Sequence, residues 1–361
     1  MKNGKLIISL VVLALLVGLG VWAYYHVNFS FANFRSQLAG ADWRKIVIGL
    51  ACIYVGYVFR AARWALLLRP NKRVGLFSLL GTQVIGFSSV ALVGRVADLS
   101  RPYLVSKKTG LPLSTQIAVY IVERLFDAGS MALIFSSVIL LAPAGALPHP
   151  EIFKKVGLWG LAGTFAGALF LVMVRVSGGV VASFFEGTIG TLSKSVGHAI
   201  GNKIRSFRTG LNTLRSPGDL VITLVLSLGM WGLITLAYIM TARAFTASPQ
   251  LNSLTLAEGM VLMAISGGAS AFQLPVLGWF TQIGVVATAL SSFFGVPPEP
   301  ATACAATLLL VTFLGIVPVG LIWAQFEHVS LRTVAAESEH AGEAVEESLK
   351  EDGPIEEPSG A

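Results

Sequence analysis

The sequence predicts an all-α, polytopic integral membrane protein with about six full transmembrane helices and two re-entrant hairpins. Two observations carry this. Hydrophobic residues make up 54% of the 361 residues and charged residues only 12%, about half the charge of an ordinary soluble domain. The charges also come in clusters, separated by apolar runs of about twenty residues, the length that crosses a bilayer core. This composition excludes a cytosolic enzyme, a disulfide-stapled secreted domain and a disordered chain.

The first apolar run, residues 6–25, follows Lys2 and Lys5. It exceeds the ~7–15 residues of a signal-peptide core, which favours a retained anchor over a cleaved leader. The second, 45–68, closes on Arg60, Arg63 and Arg69, then Lys72 and Arg73. Arg60 and Arg63 lie near its end, where long basic side chains commonly snorkel to headgroups. A Gly-rich stretch, 74–94, runs into the charged segment Arg95, Asp98, Arg101-Pro102, Lys107 and Lys108. The run 113–141 carries Glu123, Arg124 and Asp127 inside it. A loop with Pro143, Pro148 and Pro150 leads to a span at 156–176.

Residues 177–218 mix Phe184, Phe185, Ile189, Leu192, Val196, Ile200, Ile204 and Phe207, at helical spacings of three and four, with Lys194, Lys203, Arg205 and Arg208. This reads as an amphipathic helix on the membrane surface or as a plain cytoplasmic connector. A span follows at 219–243. The stretch 256–294 breaks at Ser266-Gly267-Gly268 and again at Gln273-Leu274-Pro275, and 301–326 is the last span. Residues 327–361 hold ten acidic side chains against Arg332 and Lys350 and read as an acidic, disordered cytoplasmic tail.

Basic residues mark cytoplasmic loops. The clusters at 2–5, 69–73, 107–108 and 194–215 fall on one side, and the loop at 143–150 on the other, provided that 74–94 and its charged return form a re-entrant hairpin. A full crossing is the competing reading, and Lys154 and Lys155 fit neither scheme. With re-entry, both termini are cytoplasmic. Residues 46–141 and 219–326 then each read span, hairpin, span, with one crossing between them. That layout suggests an inverted-topology repeat, which in transporters sets a binding site where two broken elements meet. On this reading residues 1–326 form one transmembrane domain.

Ionisable residues inside spans are expensive and are functional candidates by default. Glu123 and Asp127, four apart on a helix, share one face. Arg95, Asp98 and Arg101 on the neighbouring segment and Arg124 complete a mixed-charge set. Arg95, Arg101 and Arg124 are the candidate phosphate-binding groups, because guanidinium stays charged and binds phosphate bidentately. Asp98, Glu123 and Asp127 would orient them; a salt-bridge network that only locks the hairpin is the structural alternative. In the second hairpin Gln273, Trp279 and Gln282 offer polar contacts without charge. Cys52 and Cys304 lie in apolar runs, and neither they nor His26, His149, His198, His328 and His340 have metal-ligand spacing. No metal, cofactor or catalytic motif is expected. Nor is a nucleic-acid partner expected, since the basic residues flank apolar spans.

The run Gly94-Arg95-Val96-Ala97-Asp98-Leu99-Ser100-Arg101-Pro102, then Lys107-Lys108-Thr109-Gly110, then Val122-Glu123-Arg124-Leu125-Phe126-Asp127, resembles the flippase-like transmembrane domain of lysylphosphatidylglycerol synthases and its stand-alone relatives. Ala97-Asp98 stands where the family commonly has Gly-Glu. Around residues 274–282 the family's Gly-rich core is reduced and its acid is missing. The resemblance implies translocation of an amphiphilic lipid, in different members an aminoacylated phospholipid, a hopanoid-like lipid or a polyprenyl-linked sugar. The setting would be a bacterial inner membrane, and a stand-alone member without an aminoacyltransferase domain is expected. A non-transporting scaffold that recruits a lipid- or glycan-modifying enzyme is the second reading.

Overall fold

The computed structural model describes residues 29–143, 150–190, 197, 198, 200, 201, 204, 216–270 and 277–330. The expected first span at 6–25, most of 191–215, Gln273 and the tail beyond residue 330 lie outside the described residues.

Every described element is a helix. In chain order they are α1 (Phe31–Ala39), α2 (Trp43–Leu68), α3 (Leu76–Val93), a 3-10 turn (Arg95–Leu99), α4 (Ser100–Thr109), α5 (Leu113–Leu141) and α6 (Pro150–Gly190). Then follow α7 (Pro217–Ala242), the short α8 (Pro249–Asn252), α9 (Leu256–Ala269), α10 (Leu277–Phe294), α11 (Pro298–Thr312), a 3-10 turn (Leu314–Ile316) and α12 (Val317–Phe326). Five of the described helices are long and apolar enough to cross a membrane, or six if α11 and α12, bent by 41°, count as one span. The chain is an all-α polytopic membrane protein.

Several helix starts are fixed by side chains, which satisfy backbone N–H groups that the helix itself leaves open. Asp42 caps α2 by accepting from the Arg44 N–H. Reciprocal capping boxes open α7 (Ser216 with Asp219) and α9 (Thr255 with Glu258).

The first hairpin turns at Gly94, whose φ of 91° is a conformation that only glycine adopts without strain. The hairpin returns to the side it left. Lys108 Nζ donates to the Ser78 carbonyl at the start of α3 (3.1 Å), and Lys72 Nζ donates to the Thr109 carbonyl at the end of α4 (2.6 Å). The two ends of the hairpin therefore lie together, the arrangement that the re-entrant reading expects, although α3 is itself long and apolar enough to cross. The second hairpin does the same. Gly295, just past α10, lies beside Gln250, just before α9.

Helices α2 and α7 run antiparallel along each other. The Asp42 N–H donates to the Ala244 carbonyl (2.8 Å), Lys45 Nζ to the Arg243 carbonyl (2.9 Å) and Arg63 Nη1 to Ser227 Oγ (2.7 Å). Around this pair the packing comes in matched sets. Helix α2 packs on α3 as α7 does on α9, α4 on α5 as α10 on α11, α3 on α12 as α9 on α5, and α5 on α7 as α11 on α2. Each of these pairings in one half of the chain thus has a counterpart in the other. Lipid is as apolar as leucine, so such packing rests on fit and polar contacts rather than on burial from water.

Two elements depart from the sequence expectation. The span at 156–176 does not stop there: α6 continues to Gly190 across a kink at Ser177 (φ −128°, ψ 36°), so the expected amphipathic segment begins as its extension. The last span is broken at Phe313–Ile316 rather than continuous. The break survives inside protein because its open carbonyls find donors. Tyr54 Oη donates to the Gly315 carbonyl (2.8 Å) and Ser88 Oγ to that of Ile316 (3.2 Å).

Candidate functional site: a buried ion cluster beside a polar cavity

The site is built on α2 and α5. Glu123 and Asp127 lie one turn apart on α5, and Arg60 and Arg63 one turn apart on α2, so two cations face two anions in register. Arg63 spans both carboxylates, with Nη2 2.8 Å from Glu123 Oε1 and Nη1 2.7 Å from Asp127 Oδ1. Arg60 Nη1 lies 3.3 Å from each of the same two groups. Arg101 reaches in from α4, with Nη1 3.0 Å from Glu123 Oε2 and 3.2 Å from Gln83 Oε1 of α3. Arg124 closes the set, its Nη2 3.7 Å from Asp127 Oδ2.

Arg60 is eight residues from the end of α2 and Glu123 ten from the start of α5, so the cluster sits ~12–15 Å inside the basic end. In a hydrocarbon core of about 30 Å that is near the middle.

Aromatic faces complete the enclosure. The Arg101 guanidinium lies 4.4 Å from the Phe87 ring centre, 5.0 Å from Tyr120 and 5.6 Å from Trp64. Arg60 is 4.7 Å from Phe87, and Arg124 is 5.1 Å from Tyr120. Quadrupole attraction of this kind strengthens where water is excluded. Gly86 makes room for it, because a Cβ there would overlap Arg101 Cγ.

A cavity of about 260 Å³ opens beside the cluster, between the two hairpins. Its charged wall is Arg60, Asp98 and Arg124. Met131, Met230, Met263, Ile53, Ile234 and Phe87 give it an apolar waist, and Tyr238, Ser266, Ser270, Gln282 and Thr312 an uncharged polar wall. Tyr238 Oη and Gln282 Nε2 both donate to Ser266 Oγ, at 2.8 and 2.9 Å.

The structure sorts the residues expected from sequence. Asp98, Arg124 and Gln282 line the cavity. Arg101, Glu123 and Asp127 do not; they form the sealed cluster next to it. Trp279 is also off the cavity wall, where its indole N–H donates to the Ala91 carbonyl (3.2 Å) and ties the second hairpin to the first. Gln273 lies outside the described residues, as does the side chain of Arg95. Arg60 and Arg63 overturn the snorkelling expectation. They are 9% and 1% exposed and turn inward, because two carboxylates in register outbid headgroups at the membrane surface. The readable signal was their spacing of three residues, about one helical turn, as is the four-residue spacing of Glu123 and Asp127 on the partner helix. Among the described residues no group of three or more His, Cys, Asp or Glu is placed to hold a metal.

Fold and site together define a polytopic membrane protein whose two hairpins and the helices around them border a cavity with charged, apolar and uncharged polar walls. The chain belongs to the lysylphosphatidylglycerol synthase transmembrane region family, whose model matches residues 6–320. It is therefore a membrane protein related to lipid handling. No curated protein and no solved structure matches the chain.

Proposed function

We propose that this protein translocates an amphiphilic lipid between the leaflets of a bacterial inner membrane, without chemistry on the lipid. The single observation that carries this reading is the cavity wall. Arg60 and Arg124 face a chamber with an apolar waist and a second, uncharged polar side. Guanidinium suits a lipid phosphate, and the waist suits the first carbons of the tails. The lipid is a phospholipid, a hopanoid-like lipid or a polyprenyl-linked one. Arg69, Lys72, Arg73, Lys107 and Lys108 gather at one end, which supports reading that end as cytoplasmic.

The test uses the full chain in proteoliposomes carrying a fluorescent phosphatidylglycerol whose outer-leaflet copies are bleached by dithionite. Arg124→Gln is the informative variant, since its side chain is 40% exposed and carries little of the fold. It should slow exchange between leaflets at least about tenfold, the worth of one charged contact, with unchanged thermal stability. Wild-type exchange in this variant rejects the reading.

A further inference from the structure

Away from the cavity, the polar ties along the α2–α7 seam stop short of its basic end. The Asp42 N–H and Lys45 Nζ hold the far end through the Ala244 and Arg243 carbonyls, and Arg63 holds the middle through Ser227 Oγ. Among the described residues, no hydrogen bond or ion pair joins residues 64–74 to 216–226. There a groove of about 460 Å³ lies between the two helices. Its walls are one stripe of each helix. Ala62, Ala65 and Arg69 follow one another at spacings of three and four along α2, and Ile222 and Leu226 lie four apart on α7. Arg73 closes the end beyond α2.

Two properties of the groove identify its occupant. Its floor is apolar and turned outward. Ile222 is 51% exposed, and Val221 and Val225 beside it are exposed as well, so in a bilayer this face lies against lipid. Its mouth is cationic. Arg69 and Arg73 are both exposed, and among the described residues neither guanidinium has a protein partner. Asp219, the one acid of α7, is engaged in its capping box, where it accepts from the Ser216 N–H (3.1 Å). From Ala62 to Arg69 the floor runs about 10 Å along the helix axis. Small alanine side chains let an acyl chain lie close to the helix, and guanidinium takes phosphate bidentately. Two cations with no acid to balance them favour a lipid of net negative charge over a zwitterionic one.

We propose that this groove is a second lipid site, separate from the cavity, that holds an anionic phospholipid of the surrounding leaflet. Its phosphate sits on Arg69 and Arg73, and one chain runs along Ala62, Ala65, Ile222 and Leu226. The bound lipid ties together the ends of α2 and α7 that protein contacts leave apart. This inference does not rest on the transport reading.

The native cysteines are buried, so a bimane attached to Val225→Cys reports on the groove alone. The full chain is reconstituted in dioleoyl phosphatidylcholine with a trace of chain-nitroxide phosphatidylglycerol or phosphatidylcholine, and quenching is compared. Phosphatidylglycerol should quench as though enriched about fivefold for each arginine engaged. Arg73→Gln should lose about fivefold, whereas Lys107→Gln, which removes the same charge outside the groove, should lose little. Ala65→Trp fills the slot with its charge intact and should also abolish the enrichment. Equal quenching by the two lipids in the wild type overturns the proposal. So do equal losses in Arg73→Gln and Lys107→Gln, which mean a diffuse basic surface, and so does full enrichment in Ala65→Trp. Arg73 and Lys107 are both exposed, so their comparison decides whether or not Ala65→Trp folds. Displacement by glycerol 3-phosphate as readily as by unlabelled phosphatidylglycerol overturns a lipid as the ligand. Arg124→Gln should leave the enrichment unchanged, so this inference and the transport reading fail separately.

Discussion

Arg63 and Asp127 meet at 2.7 Å with side chains 1% and 6% exposed, an ion pair closed to solvent. Removing one member leaves an uncompensated charge, and such breaks cost about 3–5 kcal/mol. Asp127→Ala should therefore lower thermal stability in detergent markedly. Arg63→Met combined with Asp127→Leu should recover part of the loss, because removing one cation with one anion returns the cluster to its original net charge. A double variant as unstable as the sum of the singles would show that the pair is not coupled.

Gly86 and Arg101 form a second coupled pair. A methyl group at residue 86 overlaps the Arg101 side chain, so Gly86→Ala should push that guanidinium off Glu123. The penalty should be about 1–3 kcal/mol, the usual range for overpacking. In an Arg101→Ala background the same change meets an emptied space and should have little further effect. Melting curves of the four proteins give the answer.

Which elements were readable from residues alone follows from physics. Charges in the middle of apolar runs stand out because burying them is costly, so Glu123, Arg124, Asp127 and Arg101 were visible as a group. Their division into a sealed cluster and a cavity wall was not, because helical spacing gives a face of one helix and not the neighbour it meets. Arg60 and Arg63 were read as interfacial on their position near a helix end, and only the register of α2 against α5 turns them inward. The bend at Phe313–Ile316 hid inside an unbroken apolar run. Gly315 and Pro318 were its only local marks, and the donors that permit it, Tyr54 and Ser88, come from more than two hundred residues away in the chain.

Membrane sidedness has its own test. Cys52 and Cys304 are buried, so the native protein should be silent to a membrane-impermeant maleimide. Single cysteines at Asn71 and Lys107 should label from one face of sealed vesicles, and those at Thr246 and Ser253 from the other. A Lys107→Cys protein that labels together with Thr246→Cys would mean that the first hairpin crosses.

Deleting residues 331–361 distinguishes the two functional readings. A transporter should keep wild-type leaflet exchange without its acidic tail. A scaffold that recruits a lipid- or glycan-modifying enzyme should lose that enzyme's co-purification and its cellular output.

The second hairpin carries no charged residue between Glu258 and Glu299, so the charges that line the cavity come from α2, α5 and the turn of the first hairpin. An anion inside the chamber therefore meets a one-way electrostatic slope, deepest against Arg60 and Arg124 and flat toward Ser266. Low-dielectric surroundings steepen such a gradient. A bound anion would therefore rest off-centre in the cavity, against α2 and α5, rather than midway between its walls.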